Sequence, residues 1–143
     1  MELMNDDLIV RTITRLMVPF LLLFGSYVLL HGHVGAGGGF QAGIIITSAI
    51  IFAAIAGNIQ EVHSILTYQN LFLFGALGSI GIVIIGILGI VTGGNFFQYS
   101  PLPLPFDIAT IHAIAITCVE IGIGIAVMGM MFLIFLAVAG GTK

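Results

Sequence analysis

Glu120 stands inside a long apolar run, with Ile116, Val119, Ile121 and Ile123 close by, and His112 precedes it by eight positions. On a helix eight residues are a little over two turns, about 12 Å along the axis, so the two side chains share roughly one side. A carboxylate at bilayer depth costs on the order of 2.5 to 3.5 kcal/mol on insertion scales, which drives it toward protein or water. Two roles fit such an acid: an element of a proton or cation relay, or an interhelical hydrogen-bonding group that fixes packing. The sequence leaves both open, and the charge state with them, because no Lys or Arg lies at that depth.

His31 and His33 fall at the end of the first apolar run, and His112 near the start of the fourth. These three are expected on one side of the membrane, where imidazoles serve interfacial hydrogen bonding or proton exchange. Metal binding ranks below both, and no cofactor is expected. Cys118 is the single cysteine, so an internal disulfide and a paired-cysteine metal site are excluded. It reads as a small apolar core residue.

The elements that position these groups meet at a glycine-rich hinge, His31-Gly32-His33-Val34-Gly35-Ala36-Gly37-Gly38-Gly39-Phe40-Gln41. Four glycines in the five residues Gly35 to Gly39 let the backbone turn sharply, visit positive φ and approach its neighbours closely. A phosphate cradle is a second use for such a turn. It is set aside here because no Lys-Ser/Thr pair follows the glycines and no acidic residue stands about 20 positions on in a βαβ context.

The rest of the chain is membrane helix or short connector. Of its 143 residues 59% are hydrophobic and 6% charged, with mean hydropathy +1.26, whereas a soluble domain carries about 25% charged residues. The net charge of -3 is diffuse and forms no basic stripe, which argues against a nucleic-acid partner. Four helices are expected, at about 12–31, 40–57, 71–93 and 108–139, as a single all-α polytopic domain over 1–143, a four-transmembrane-helix bundle. Arg11 and Arg15 before the first run resemble a signal-peptide start, but no clean cleavage site follows, so a retained helix is expected, with a surface lead-in over Met1 to Arg11 and Pro19 near its start. Asn58 to Asn70 reads as a polar connector with a short surface helix. The glycines from Gly75 to Gly93 make a groove for close helix packing. Gly94 to Asp107, with Pro101, Pro103 and Pro105, reads as an extended segment whose Phe96, Phe97, Tyr99 and Phe106 form an interfacial strip, and Asp107 caps the fourth helix. Arg11, Arg15 and Lys143 are the only Lys or Arg residues, all near the ends, so both termini are expected in the cytoplasm.

The run from His31 to Gly43 resembles the Gly-His-x-x-Pro-Gly-Gly-Gly-Phe-x-Gly-Gly signature of the B subunit of Mrp-type multisubunit sodium/proton antiporters, the MnhB/MrpB-like family. The likeness covers nearly the whole chain in length and helix count, and Glu120-Ile121-Gly122-Ile123 looks like the family's Asp-x-Gly-Val element. Ala36 stands where the family has proline, and Ala42 where it commonly has glycine. The resemblance implies a non-enzymatic subunit of a prokaryotic cell-membrane complex that exchanges Na+ or another monovalent cation for H+, with other antiporter subunits and membrane lipid as partners. It implies Gly37, Gly38, Gly39, Phe40, Gln41 and Gly43 as scaffold and leaves Glu120, His112, His31 and His33 as ion-path candidates. A redox-driven complex of hydrogenase or sulfur-reductase type, and a purely structural spacer, are the alternatives.

Overall fold

The computed structural model describes residues 8–35, 37–57 and 66–140. They form four helices, α1 (Leu8–His31), α2 (Gly39–Ala56), α3 (Tyr68–Val91) and α4 (Ile108–Gly140), with no strand among the described residues. All four are long and apolar enough to cross a membrane, and large side chains such as Leu23, Phe72 and Ile134 remain exposed on them. Helices apolar all round have no use for water on any face, so lipid or neighbouring subunits must cover them. This is a multi-pass membrane protein.

The helices stand in the row α1, α2, α4, α3. α1 packs on α2, α2 on α4, and α4 on α3; α1 touches α4 narrowly, and the α3 backbone approaches α4 alone. Small residues set that closeness. A Cβ on Gly78 would lie 2.6 Å from the Gly122 carbonyl oxygen and 2.6 Å from the Ala126 nitrogen, and one on Gly129 would lie 2.7 Å from the Leu71 carbonyl oxygen. Farther along the same seam Phe132, fully buried, packs with Leu71 and Leu136, and Ile50 and Ile51 of α2 close over them. Hydroxyls within the helices bond back one turn, Thr47 Oγ1 to the Gly43 carbonyl at 2.7 Å and Ser48 Oγ to that of Ile44 at 2.9 Å, so they bring no unmet polarity into the bilayer.

Four expectations change. Leu8 to Arg11 belong to α1 rather than to a surface lead-in, and the lead-in's residues 1–7 lie outside the described residues. Pro19 is therefore well inside α1, where its missing N–H leaves the Arg15 carbonyl without a helical partner. Cys118 is exposed on α4, not in a core. The segment after α3 is not a simple extended strip. It folds back over the end of α3, with Gly94 N–H donating to the Gly89 carbonyl at 2.9 Å and Phe97 N–H to that of Gly86 at 3.3 Å. Gly86 and Gly89 make this possible, since a Cβ on Gly89 would meet the Gln98 carbonyl oxygen at 2.7 Å. Phe97 takes positive φ, 62°, and Tyr99 is only 6% exposed, packed with Ile111 and Ala115. The surface helix expected within Asn58 to Asn70 falls mostly on residues 58–65, outside the described residues; Tyr68, Gln69 and Asn70 open α3.

Candidate functional site

α4 is the post on which the candidate site is built. Asp107 caps its start: Thr110 N–H donates to Asp107 Oδ2 at 3.2 Å and Thr110 Oγ1 to Oδ1 at 2.6 Å. These two bonds to Thr110, the side-chain one first, hold the Asp107 carboxyl below its usual range. The helix then runs 33 residues, about 50 Å, against 18 residues and about 27 Å for α2.

The mismatch in length makes a notch. α2 runs parallel to α4 and begins with Gly39 directly on the backbone of Glu120, followed by Gly43 on Gly124 and Val127. The α1–α2 turn thus ends at the level of Glu120, and the part of α4 from Ile108 to Val119, about 18 Å, rises beyond it. On that stretch the folded-back segment after α3 supplies the opposite wall. The result is an open groove of about 420 Å³ lined by Phe97, Tyr99, His112, Ile116, Val119 and Glu120.

Glu120 is seated at the bottom of the groove by glycines. A Cβ on Gly32 would run into both of its carboxyl oxygens, one on Gly38 would lie 3.3 Å from Oε1, and one on Gly39 would collide with its backbone carbonyl. Gly38 is required twice over, because its φ of 114° disfavours any side chain. Glu120 Oε2 is buried and receives no hydrogen bond. At the upper end Ser100 Oγ lies 3.5 Å from His112 Nε2, and the Tyr99 ring meets the imidazole edge to face at 5.9 Å between centroids. Burial pushes the Tyr99 phenol up, with a smaller contribution from Cys118, which keeps it neutral and able to donate.

The candidates do not all converge. Glu120 and His112 line the same groove, separated along the helix by about 12 Å, a gap that needs water or an ion to bridge. His31 and His33 flank Gly32 but do not line the groove; His31 is exposed and stacks on Tyr27 at 4.2 Å between centroids. Among the described residues no three His, Cys, Asp or Glu side chains are grouped to hold a metal ion. Phe40 and Gln41 point outward, Gly35 has open space where a Cβ would go, and Ala36 lies outside the described residues. Three contributors had no separate signal as site residues: Gly32, Phe97 and Tyr99. For Gly32 the hint was its place in the Gly-His pair of the hinge; for the two aromatics only the fold-back over Gly86 and Gly89 brings them in.

Residues 9–141 match the model of a domain related to the MnhB subunit of Na+/H+ antiporters. The chain is also similar to proteins provisionally named antiporter subunit mnhB2. It is 34% identical to that of Staphylococcus haemolyticus strain JCSC1435 and 38% identical to that of Staphylococcus aureus strain MRSA252, in each case over 97% of this chain and 99% of the relative. For the protein of S. aureus strain Newman the identity is 36% over the same shares.

Proposed function

We propose that this chain, which belongs to the family of MnhB subunits of Na+/H+ antiporters, is a small subunit of a multisubunit antiporter of a prokaryotic cell membrane that exchanges Na+ for protons, serving Na+ efflux and pH homeostasis. Its part is transport rather than catalysis. Both termini face the cytoplasm, in line with the placement of Arg11, Arg15 and Lys143. Glu120 takes up and releases the transported ion or proton at the bottom of the groove, and His112 passes protons at its upper end. His31 and His33 serve interfacial hydrogen bonding beside the turn. Relatives named as antiporter subunits favour this placement over a redox-driven complex.

The observation that carries the reading is the buried, unpartnered Oε2 of Glu120. A buried acceptor without a donor costs about 1–3 kcal/mol, more when charged. An acid kept only to tie helices together would be given a donor by the helices it ties; this one has glycines on one side and a groove on the other. A group held ready for a mobile cation, proton or water fits that arrangement.

The test is Na+-dependent proton movement in vesicles holding the whole complex, with assembly scored on a native gel. Glu120→Gln is expected to lose exchange by at least about tenfold in an intact complex, the scale of one charge-assisted contact, and Glu120→Asp to keep part of it. Unchanged exchange in assembled Glu120→Gln would reduce the acid to packing.

A further inference from the structure

We infer that the end of α1 farthest from Glu120 holds a binding site for the headgroup of an anionic phospholipid. Arg11 and Arg15, one turn apart on α1, line a cavity of about 390 Å³ together with Thr14, Pro19, Ala53 and Gly57. α2 ends here, at Ala56, while α1 continues past it, so the two guanidinium groups stand over the end of the shorter helix. Such a step at a helix end lies at the membrane surface.

Three features select the ligand. Neither Arg forms an ion pair with a described residue, and the chain's only other Lys or Arg is Lys143, so two of its three cations meet at this one cavity. Guanidinium groups bind phosphate oxygens through paired, charge-assisted N–H···O bonds. Thr14, 9% exposed, adds a hydroxyl at the same wall. Below the charges the lining turns small and apolar, and Leu16, Met17 and Phe20 are exposed alongside on α1. A free phosphate has no use for that apolar flank, but an acyl chain continuing from a bound headgroup does. The occupant is therefore a lipid such as phosphatidylglycerol, held as a structural ligand between α1 and α2.

The experiment is native mass spectrometry of the whole detergent-purified complex after exposure to phosphatidylglycerol or to phosphatidylcholine. The wild-type complex is expected to retain phosphatidylglycerol in preference to phosphatidylcholine. Arg11→Gln/Arg15→Gln should weaken that retention about tenfold or more, the loss expected for one charge-assisted bond. Ala53→Leu, which fills the cavity and spares both charges, should release the lipid as well, and serves where the double variant fails to assemble. Retention unchanged in Ala53→Leu overturns the site. So does equal retention of the two lipids, or no retained phosphatidylglycerol in the wild type, the result expected if a protein carboxylate fills the cavity.

Discussion

Glycines serve two different purposes in this molecule, at the α3–α4 seam and at the α1–α2 turn. Along the seam Gly75, Gly78, Gly122 and Gly129 let two backbones touch, and what each would-be Cβ meets is a backbone atom or a packed side chain of the facing helix. At the turn Gly32 and Gly38 make room for the Glu120 carboxyl, while Gly39, like the seam glycines, rests on backbone, that of Glu120. In lipid, helices gain little by hiding apolar surface from one another, so the first use holds the row together. The second use leaves a polar atom buried without a partner, which no packing requirement explains.

The largest effect is expected at Gly39. Gly39→Leu drives a side chain into the Glu120 carbonyl, and backbone cannot swing aside as a flexible chain can. Overpacking of this kind costs about 1–3 kcal/mol or more, and the α1–α2 pair should separate from α4. The expected outcome is loss of this chain from the complex on a native gel. Gly32→Ala sharpens the contrast. Its Cβ meets only the carboxyl end of Glu120, a flexible group, so assembly should survive while exchange in vesicles falls severalfold as the carboxyl is pushed from its seat. Gly35→Ala is the control, with open space at the Cβ position, and should change neither.

The smallest effect is expected at Asp107, far from the turn. Its carboxyl is held below the ordinary range by Thr110, so the charged, bonded form stabilises the start of α4 at neutral pH. A depressed folded-state value means that this contribution is present above the ordinary carboxylate range and fades as pH falls through the folded value. Asp107→Ala should therefore lower the melting temperature of the complex slightly at pH 7, and the difference should shrink in acid. Asp107→Asn, which keeps a capping oxygen, should lower it less.

Much of the fold was legible from periods of apolar residues. The four spans, the glycine-rich turn between His31 and Gly39, the cap at Asp107 and the hydroxyl back-bonds at Thr47 and Ser48 all follow from local chemistry. The row order of the helices does not, because α2, α3 and α4 are apolar on every face and give no direction to bury. Nor does the fold-back over Gly86 and Gly89, since a glycine in an apolar helix signals close approach without naming what approaches. The notch depends on comparing α2 with α4 at the level of Gly39 and Glu120, a register that local patterns do not contain. For the same reason Glu120 and His112 were legible as individuals, whereas their common groove with Tyr99 was not.

On the proposed function the Glu120 carboxyl exchanges a proton or cation during transport. The most direct measurement is infrared difference spectroscopy of the whole complex as Na+ is added and removed at fixed pH, comparing wild type with an assembled Glu120→Gln variant. A protonated-carboxyl band that rises and falls with Na+ in the wild type and is missing from the variant is the predicted result. Identical difference spectra in the two would contradict the account.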